Sequence, residues 1–162
     1  MNRSSKRRLA VARLLEKSVP LGTTTWRAAK SLLKLRSQVD VQWPHRRKES
    51  DGTIGDASHQ SRDSDHNPWV KDGSVGVVTA IDITHDPASG CDAEQVVASL
   101  LSSRDPRIKY IIWNRRIVSA TVSPWKWRAY RGLNPHTKHF HLSVVSNKSY
   151  FDDQGDWEIS SG

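Results

Sequence analysis

Two separate segments of the chain carry histidines and a carboxylate at spacings that suit metal chemistry. The first segment runs from His66 to Asp82, and the second is the triplet His139-Phe140-His141. Two imidazoles and one carboxylate from different segments are typical protein ligands of a catalytic zinc ion, because three such ligands leave the fourth tetrahedral position open. The sequence therefore predicts a reaction centre as well as a fold.

The spacing of these residues also predicts how they converge. Side chains alternate along a β-strand, so His139 and His141 project from the same face of one strand. If the strand that contains Asp82 lies beside it, the carboxylate reaches the same volume, and His66 completes the set from the preceding loop. A lone His-x-His pair is weak evidence, since many histidines are only hydrogen-bonded structural groups. The combination of segments is more specific.

Hydrophobic periodicity predicts the elements that position these residues. The β-branched run 77–83 is typical of a buried strand. Asp92 is placed to cap a helix that ends near residue 104. Segments 109–113 and 116–119 flank a two-residue turn and predict a hairpin. A last strand is expected from residue 138 or 139 to about 145.

The two ends of the chain differ from this middle part. Ser4 or Ser5 can cap a basic helix to about residue 18, and one of Thr23 to Thr25 can cap a second helix to about residue 39. Residues 44–67 have almost no apolar periodicity and predict a long ordered loop. The domain organisation expected is therefore a basic N-terminal helical segment (1–40), a catalytic core (41–147) and an acidic, poorly ordered C-terminal tail (148–162).

Composition limits the class of protein. The 162 residues carry a formal net charge of +8, with a pI near 9.9, which favours an anionic partner. No apolar run approaches the roughly 18 residues that a membrane span needs. The first residues lack the long apolar region of a signal peptide, so we expect synthesis in a cytoplasm without an export signal. Cys91 is the only cysteine and is expected to be inert packing.

Three motifs resemble those of the zinc peptidases that unite D-Ala-D-Ala carboxypeptidases, phage L-alanyl-D-glutamate endopeptidases, lysostaphin-like enzymes and the hedgehog signalling domain. The motifs are Ser64-x-His66, Ala80-x-Asp82 and His139-x-His141. The resemblance covers about residues 43–145. Together with the predicted elements, it indicates an α+β fold in which a small antiparallel sheet flanked by helices carries a single zinc site. The N-terminal helical hairpin completes the predicted fold but is not part of the core shared with this family.

The resemblance also implies roles for individual residues. His66, Asp82 and His141 would hold one Zn²⁺, and His139 would lie beside the metal-bound water as general base. In the carboxypeptidase branch the first two ligands are only a few residues apart, whereas here residues 67–81 intervene and include an apparent inserted turn. That branch also has a Glu just before its last ligand, and His139 replaces it here, as in the lysostaphin and murein-endopeptidase style.

The expected reaction is metal-assisted hydrolysis of an amide bond. A fixed cation near the scissile carbonyl would stabilise the developing oxyanion, and the loop before the first ligand offers Arg46, Arg47 and Arg62 as candidates, with Arg62 the nearest in sequence. His85 and His136 could orient a ligand, but a loop histidine with no metal role is the simpler interpretation of each.

The expected substrate follows from the resemblance together with the charge. A basic single domain of this type with no expected signal peptide resembles a phage endolysin, made in the cytoplasm and released to the bacterial wall at lysis, and we expect it to be a monomer. Its partners would be peptidoglycan and anionic wall polymers, and the bond cleaved would lie in the stem peptide.

Two other functions remain open at this stage. Asp65-His66-Asn67-Pro68 resembles the opening of an HNH-type nuclease, and basic front helices would suit DNA. The absence of a downstream Asn and His on a predicted helix argues against nucleic acid as the substrate. A non-catalytic wall-binding module that holds zinc only for its structure is the other alternative.

Overall fold

The computed structural model describes residues 25–54 and 64–160, and within these ranges the fold is α+β. The strands are β1 (Trp26–Ala28), β2 (Val70–Asp72), β3 (Val75–Val78), β4 (Ala80–Thr84), β5 (Ile108–Trp113), β6 (Arg116–Ser119), β7 (Arg128–Ala129) and β8 (His139–Val144). The α-helices are α1 (Lys30–Gln42), α2 (Ala93–Ser103) and α3 (Lys148–Phe151). In these ranges, no helix combines the length and apolar character that crossing a bilayer requires.

The strands form two small sheets. The larger sheet is antiparallel throughout and has the order β4-β8-β5-β6-β7. The smaller sheet has the order β1-β3-β2, in which β1 runs parallel to β3. The predicted hairpin of β5 and β6 is confirmed. Its turn residues Asn114 and Arg115 have φ of 50° and 64°, as a two-residue type I′ turn requires.

Both long helices pack on one hydrophobic core. α2 begins where predicted, because the Asp92 side chain accepts a hydrogen bond from the Glu94 backbone N–H, and it ends in left-handed Arg104. The buried apolar residues come from both helices and from the larger sheet; they include Leu32, Leu35, Val39, Val96, Leu100, Ile81, Ile83, Ile111, Phe140 and Leu142. The core therefore holds the larger sheet rigidly from one side.

Two predicted elements differ from the structure. The single strand expected over residues 77–83 is divided at Thr79 into β3 and β4, which belong to different sheets. Thr79 donates its backbone N–H to the Asp65 carbonyl and accepts from Val144 N–H, so the chain changes partners there. A continuous apolar run cannot indicate such a change, because both strands are buried.

The front of the chain also differs from the prediction. The helix expected from about Thr23 begins only at Lys30, because Trp26 to Ala28 pair with β3. The first helix of the predicted hairpin lies outside the described residues. The predicted long loop contains no helix or strand in its described parts, residues 44–54 and 64–67.

The expectation of a poorly ordered C-terminal tail is wrong for residues 148–160. Phe151, Trp157 and Ile159 are buried in the core. The indole N–H of Trp157 donates to the Ser31 carbonyl at 2.9 Å, and the Arg107 guanidinium lies 3.7 Å from its ring centroid. The acidic composition of this segment led to the prediction of disorder, but its buried apolar side chains pack the segment against α1.

Trp157 provides a test of this docking. We expect Trp157→Ala to lower the free energy of unfolding by about 3–5 kcal/mol, since it removes a buried aromatic side chain. The matched control is Tyr150→Ala in the same segment, whose side chain is 40% exposed and whose loss should cost about 0.5 kcal/mol or less. Urea denaturation measures both values. Equal, small effects would contradict a docked segment.

Candidate metal centre

Antiparallel pairing of β4 and β8 brings the predicted residues together. Asp82 lies directly opposite His141 in the register, and Thr84 lies opposite His139. Residues directly opposite each other project from the same face, with Cβ atoms about 5 Å apart. His66 comes from the loop before β2. The hydrogen bond from the Thr79 N–H to the Asp65 carbonyl holds this loop at the start of β4. The expected convergence is therefore found.

Three ligand-type atoms form a compact triangle. His66 Nε2 lies 3.0 Å from His141 Nδ1 and 3.3 Å from Asp82 Oδ1, and His141 Nδ1 lies 3.2 Å from the same oxygen. Ligand atoms about 2.0–2.1 Å from a zinc ion at tetrahedral angles would be about 3.3 Å apart. These buried groups can therefore bind a metal ion.

The second ring nitrogen of each imidazole is engaged by a neighbouring group. His66 Nδ1 donates to the Thr53 carbonyl, which can only accept, so Nε2 is the ring nitrogen that faces the triangle. His141 Nε2 lies 2.8 Å from the Ser143 hydroxyl. Such outer hydrogen bonds orient the ring and select the tautomer of a metal-binding histidine. In this geometry His66 presents Nε2 and His141 presents Nδ1 to the triangle.

The electrostatics of the cluster fit a cation. Burial by itself would raise the pKa of Asp82, but its contacts with His141 and His66 outweigh burial and hold that pKa far below the usual range. Burial lowers the pKa of His141, which favours a neutral ring. Asp82 Oδ1 is buried and receives no well-directed hydrogen bond from the described residues. A positive charge at this position would stabilise the buried anion.

His139 lies next to the triangle, on the other side of the same carboxylate. Its Nε2 is 3.5 Å from Asp82 Oδ2, and its side chain is only 12% exposed. Neither of its ring nitrogens has a hydrogen-bond partner among the described residues. His139 therefore lies beside the carboxylate of the triangle without a direct hydrogen bond to it, at a distance that one water could bridge.

The structure adds His136, which sequence reasoning interpreted as a loop histidine. Its ring centroid lies 5.0 Å from that of His139 and 5.6 Å from that of His141. Its Nδ1 donates to the Asn134 carbonyl at 2.8 Å, and burial lowers its pKa to about 4, so the ring is neutral at pH 7. The spacing His136-x-x-His139-x-His141 was the available signal, but no strand pattern extends to residue 136.

The triangle opens onto a cleft of about 190 Å³. The cleft is lined by Ser64, His66, Asp82, Tyr110, Ile112, Tyr130, Leu133, Asn134, His136 and His141. A larger groove between α1 and residues 156–160 contains no histidine and lies apart from this chemistry. The smaller cleft is therefore the one in which a ligand could meet the cluster.

Of the arginines considered as oxyanion cations, Arg46 and Arg47 do not line this cleft. The buried guanidinium of Arg46 is paired with Asp40 at 2.7 Å and with Asp51 at 2.6 Å. Arg47 is largely exposed, and its guanidinium lies 3.7 Å from the carboxylates of both Glu49 and Asp86. Arg62 lies outside the described residues. Arg46 instead stabilises the segment that supplies the Thr53 carbonyl.

His85 and Cys91 have the structural roles that the sequence analysis predicted for them. His85 accepts a hydrogen bond from the Ala93 backbone N–H and packs against Trp113, so it has a structural role at the start of α2. Cys91 is buried, and burial raises the pKa of its thiol to about 11, which makes it a poor nucleophile.

Comparisons with models of known protein families, with curated proteins and with solved structures find no match for this chain. The functional argument therefore depends on the geometry of the cluster and on the chemistry of its donors.

Removal of any ligand should abolish tight metal binding. We expect the wild type to retain a zinc ion after dialysis and His66→Ala, Asp82→Ala and His141→Ala to lose it, because two donors do not hold zinc tightly. Ser143→Ala, which removes only the partner of His141, should weaken binding by about 10–100-fold. The matched control is His45→Ala, which removes an exposed histidine and should leave the metal content unchanged. Metal analysis that finds full loading of the three ligand variants would contradict the site.

The segment before the site should contribute stability that depends on pH. Burial would raise the pKa of Asp51, but hydrogen bonds from Arg46 and Thr84 lower it overall. The carboxylate therefore stabilises the fold above its unfolded pKa of about 3.9, and this contribution is lost as the pH falls through the lower folded pKa.

We expect Asp51→Ala to lower the free energy of unfolding at pH 7 by about 3 kcal/mol, because the buried Arg46 guanidinium is left with Asp40 as its only carboxylate partner among the described residues. The difference from the wild type should shrink below about pH 4. Denaturation series at several pH values measure it. A difference that grows on acidification would show that the sign is wrong.

Proposed function

We propose that the protein is a zinc-dependent peptidase that hydrolyses an amide bond in the stem peptide of bacterial peptidoglycan. The triangle of His66, Asp82 and His141 at the wall of a cleft is the observation that carries this proposal. One Zn²⁺ ion is the proposed cofactor. Its expected ligands are two nitrogens and one carboxylate oxygen, the set found in many catalytic zinc sites.

The donor set favours zinc over the common hard cations. Ca²⁺ takes six to eight oxygen ligands, and Mg²⁺ demands an octahedron of oxygens and waters. Two imidazoles suit zinc and similar transition metals. The spacing of 3.0–3.3 Å between the donor atoms supports a small tetrahedral ion.

Each residue of the cluster has a defined part in the proposed hydrolysis. A bound zinc ion would act as a Lewis acid on the scissile carbonyl and would lower the pKa of a coordinated water. Asp82 remains anionic and, with His66 and His141, fixes the position of the ion. His139 Nε2 accepts the proton of the attacking water and returns it to the nitrogen of the leaving amine.

The net charge of the chain supports an anionic substrate. The sequence carries a formal net charge of +8, while the described residues that line the cleft include no Lys or Arg. Stem peptides carry free carboxylates and wall polymers carry phosphates, so both would be attracted to a basic protein. In this proposal the protein is a monomer made in the cytoplasm that acts on the wall after release at lysis.

Digestion of purified sacculi tests the proposal. We expect the wild type to release new amino termini, and a chelator to stop the release until zinc is restored. His139→Ala should retain one zinc ion but lose about 10²–10⁴-fold in rate, the usual contribution of a general base. Metal content and amine release are measured on the same samples.

His85→Ala is the matched control, since it removes a partly exposed histidine at the start of α2 and should keep both zinc and activity. Full activity of His139→Ala would refute its role as base. A rate of hydrolysis that does not change when the chelator is added would refute the zinc dependence of the proposed peptidase. Nicking of plasmid DNA, with intact sacculi, would favour the nuclease alternative instead.

A further inference from the structure

The carboxylate of Asp82 faces histidines on both of its sides. Oδ1 lies 3.2–3.3 Å from the nitrogens of His66 and His141, whereas Oδ2 lies 3.5 Å from His139 Nε2. His136 Nδ1 is occupied by the Asn134 carbonyl, so the unprotonated nitrogen of its neutral ring is Nε2. Ligand-type atoms of Asp82, His136 and His139 all lie within 4.8 Å of one another. A second set of metal donors therefore shares one carboxylate with the first.

The polar atoms on this side lack ordinary partners. Both ring nitrogens of His139 are buried and make no hydrogen bond with any described residue. Leaving a buried polar group unsatisfied costs about 1–3 kcal/mol, and such groups in native proteins often indicate a water or an ion. Together with an adjacent carboxylate oxygen, an imidazole with an available nitrogen provides a place for a cation.

The position of His136 is held by the backbone around it. The Asn114 backbone N–H, in the β5–β6 turn, donates to the His136 carbonyl at 2.8 Å, and the Arg115 N–H donates to the Pro135 carbonyl at 2.8 Å. His136 itself has φ of 53°, in the left-handed region that a residue with a side chain rarely adopts. Such strained residues concentrate at functional sites. The turn thus presents this ring to the cluster despite a local conformational cost.

We propose that Asp82, His136 and His139 form a second, weaker site for a divalent transition metal ion, with the Asp82 carboxylate as the bridge between the two sites. Pairs of metal ions bridged in this way are a recurrent arrangement in hydrolytic proteins. The second site is the weaker one because it shares its only anion with the first site, and because His139 Nε2 lies 3.5 Å from Asp82 Oδ2, whereas the donor atoms of the first site are 3.0–3.3 Å apart. Repulsion between the two cations lowers its affinity further.

This inference rests on the proposed peptidase function for its consequence. An ion at the second site occupies the ring of His139, which the proposed hydrolysis needs as a proton acceptor. Excess zinc therefore inhibits the enzyme, whereas the first equivalent of zinc activates it.

Equilibrium dialysis of the full chain against increasing Zn²⁺ tests the second site directly. The expected result is two zinc ions per wild-type chain at saturation, the second bound at least tenfold more weakly than the first. His136→Ala should retain the first ion and lose the second. His45→Ala, which removes an exposed histidine away from the cluster, should still bind two ions and serves as the control for surface binding.

The activity measurement uses the same zinc series. The inhibition by excess zinc seen with the wild type should shift to at least tenfold higher concentration in His136→Ala, relative to the maximal rate of each protein. Circular dichroism confirms that the variant is folded, and His136→Gln provides a second variant if the alanine protein is not. Saturation of the wild type at one ion, or two ions in both folded His136 variants, would overturn the second site.

The two proposals fail in distinguishable ways. Two ions without any hydrolysis of sacculi would remove the peptidase function and keep the second site. Hydrolysis of sacculi by a protein that binds one ion at every zinc concentration would keep the peptidase function and remove the second site.

Discussion

The pairing of β4 with β8 is the constraint on which the candidate site depends. Its register sets Asp82 opposite His141 in the larger sheet, so the carboxylate and the imidazole share one face without any loop having to place them. A slip of one residue would move every side chain of the strand to the other face. The opposite faces of the same strands carry Ile81, Ile83 and Leu142 into the core, so hydrophobic burial fixes the register that the metal site uses.

A buried carboxylate is costly, and the structure compensates for it at several levels. His66 and His141 flank Asp82, and Thr53 and Ser143 engage the outer nitrogens of these rings. Behind this shell, the Arg46–Asp51 ion pair and the bridge between Gly52 and Asp82 hold the segment that contains Thr53. These contacts order the described part of the long loop near the site. Such order would give a metal ligand the fixed orientation that it needs.

The histidine cluster is larger than one ion requires. Four imidazoles and one carboxylate meet where β4, β8 and the turn that supports His136 come together. Neighbouring imidazoles and an anion can either pass a proton or accept cations. In the function proposed above, the zinc concentration would decide between these states, and catalysis and its inhibition would depend on the same few side chains.

The sequence by itself determined the local elements and the candidate ligands. Alternation along the segment 139–144, the turn at Asn114-Arg115 and the cap at Asp92 depend on neighbouring residues, and all three are present. Only the tertiary structure decided the division of the apolar run at Thr79, the docking of Trp157 and the entry of His136 into the cluster. These features depend on partners distant in the chain, such as Ser31 for Trp157, and periodicity carries no information about which distant partner a buried residue meets.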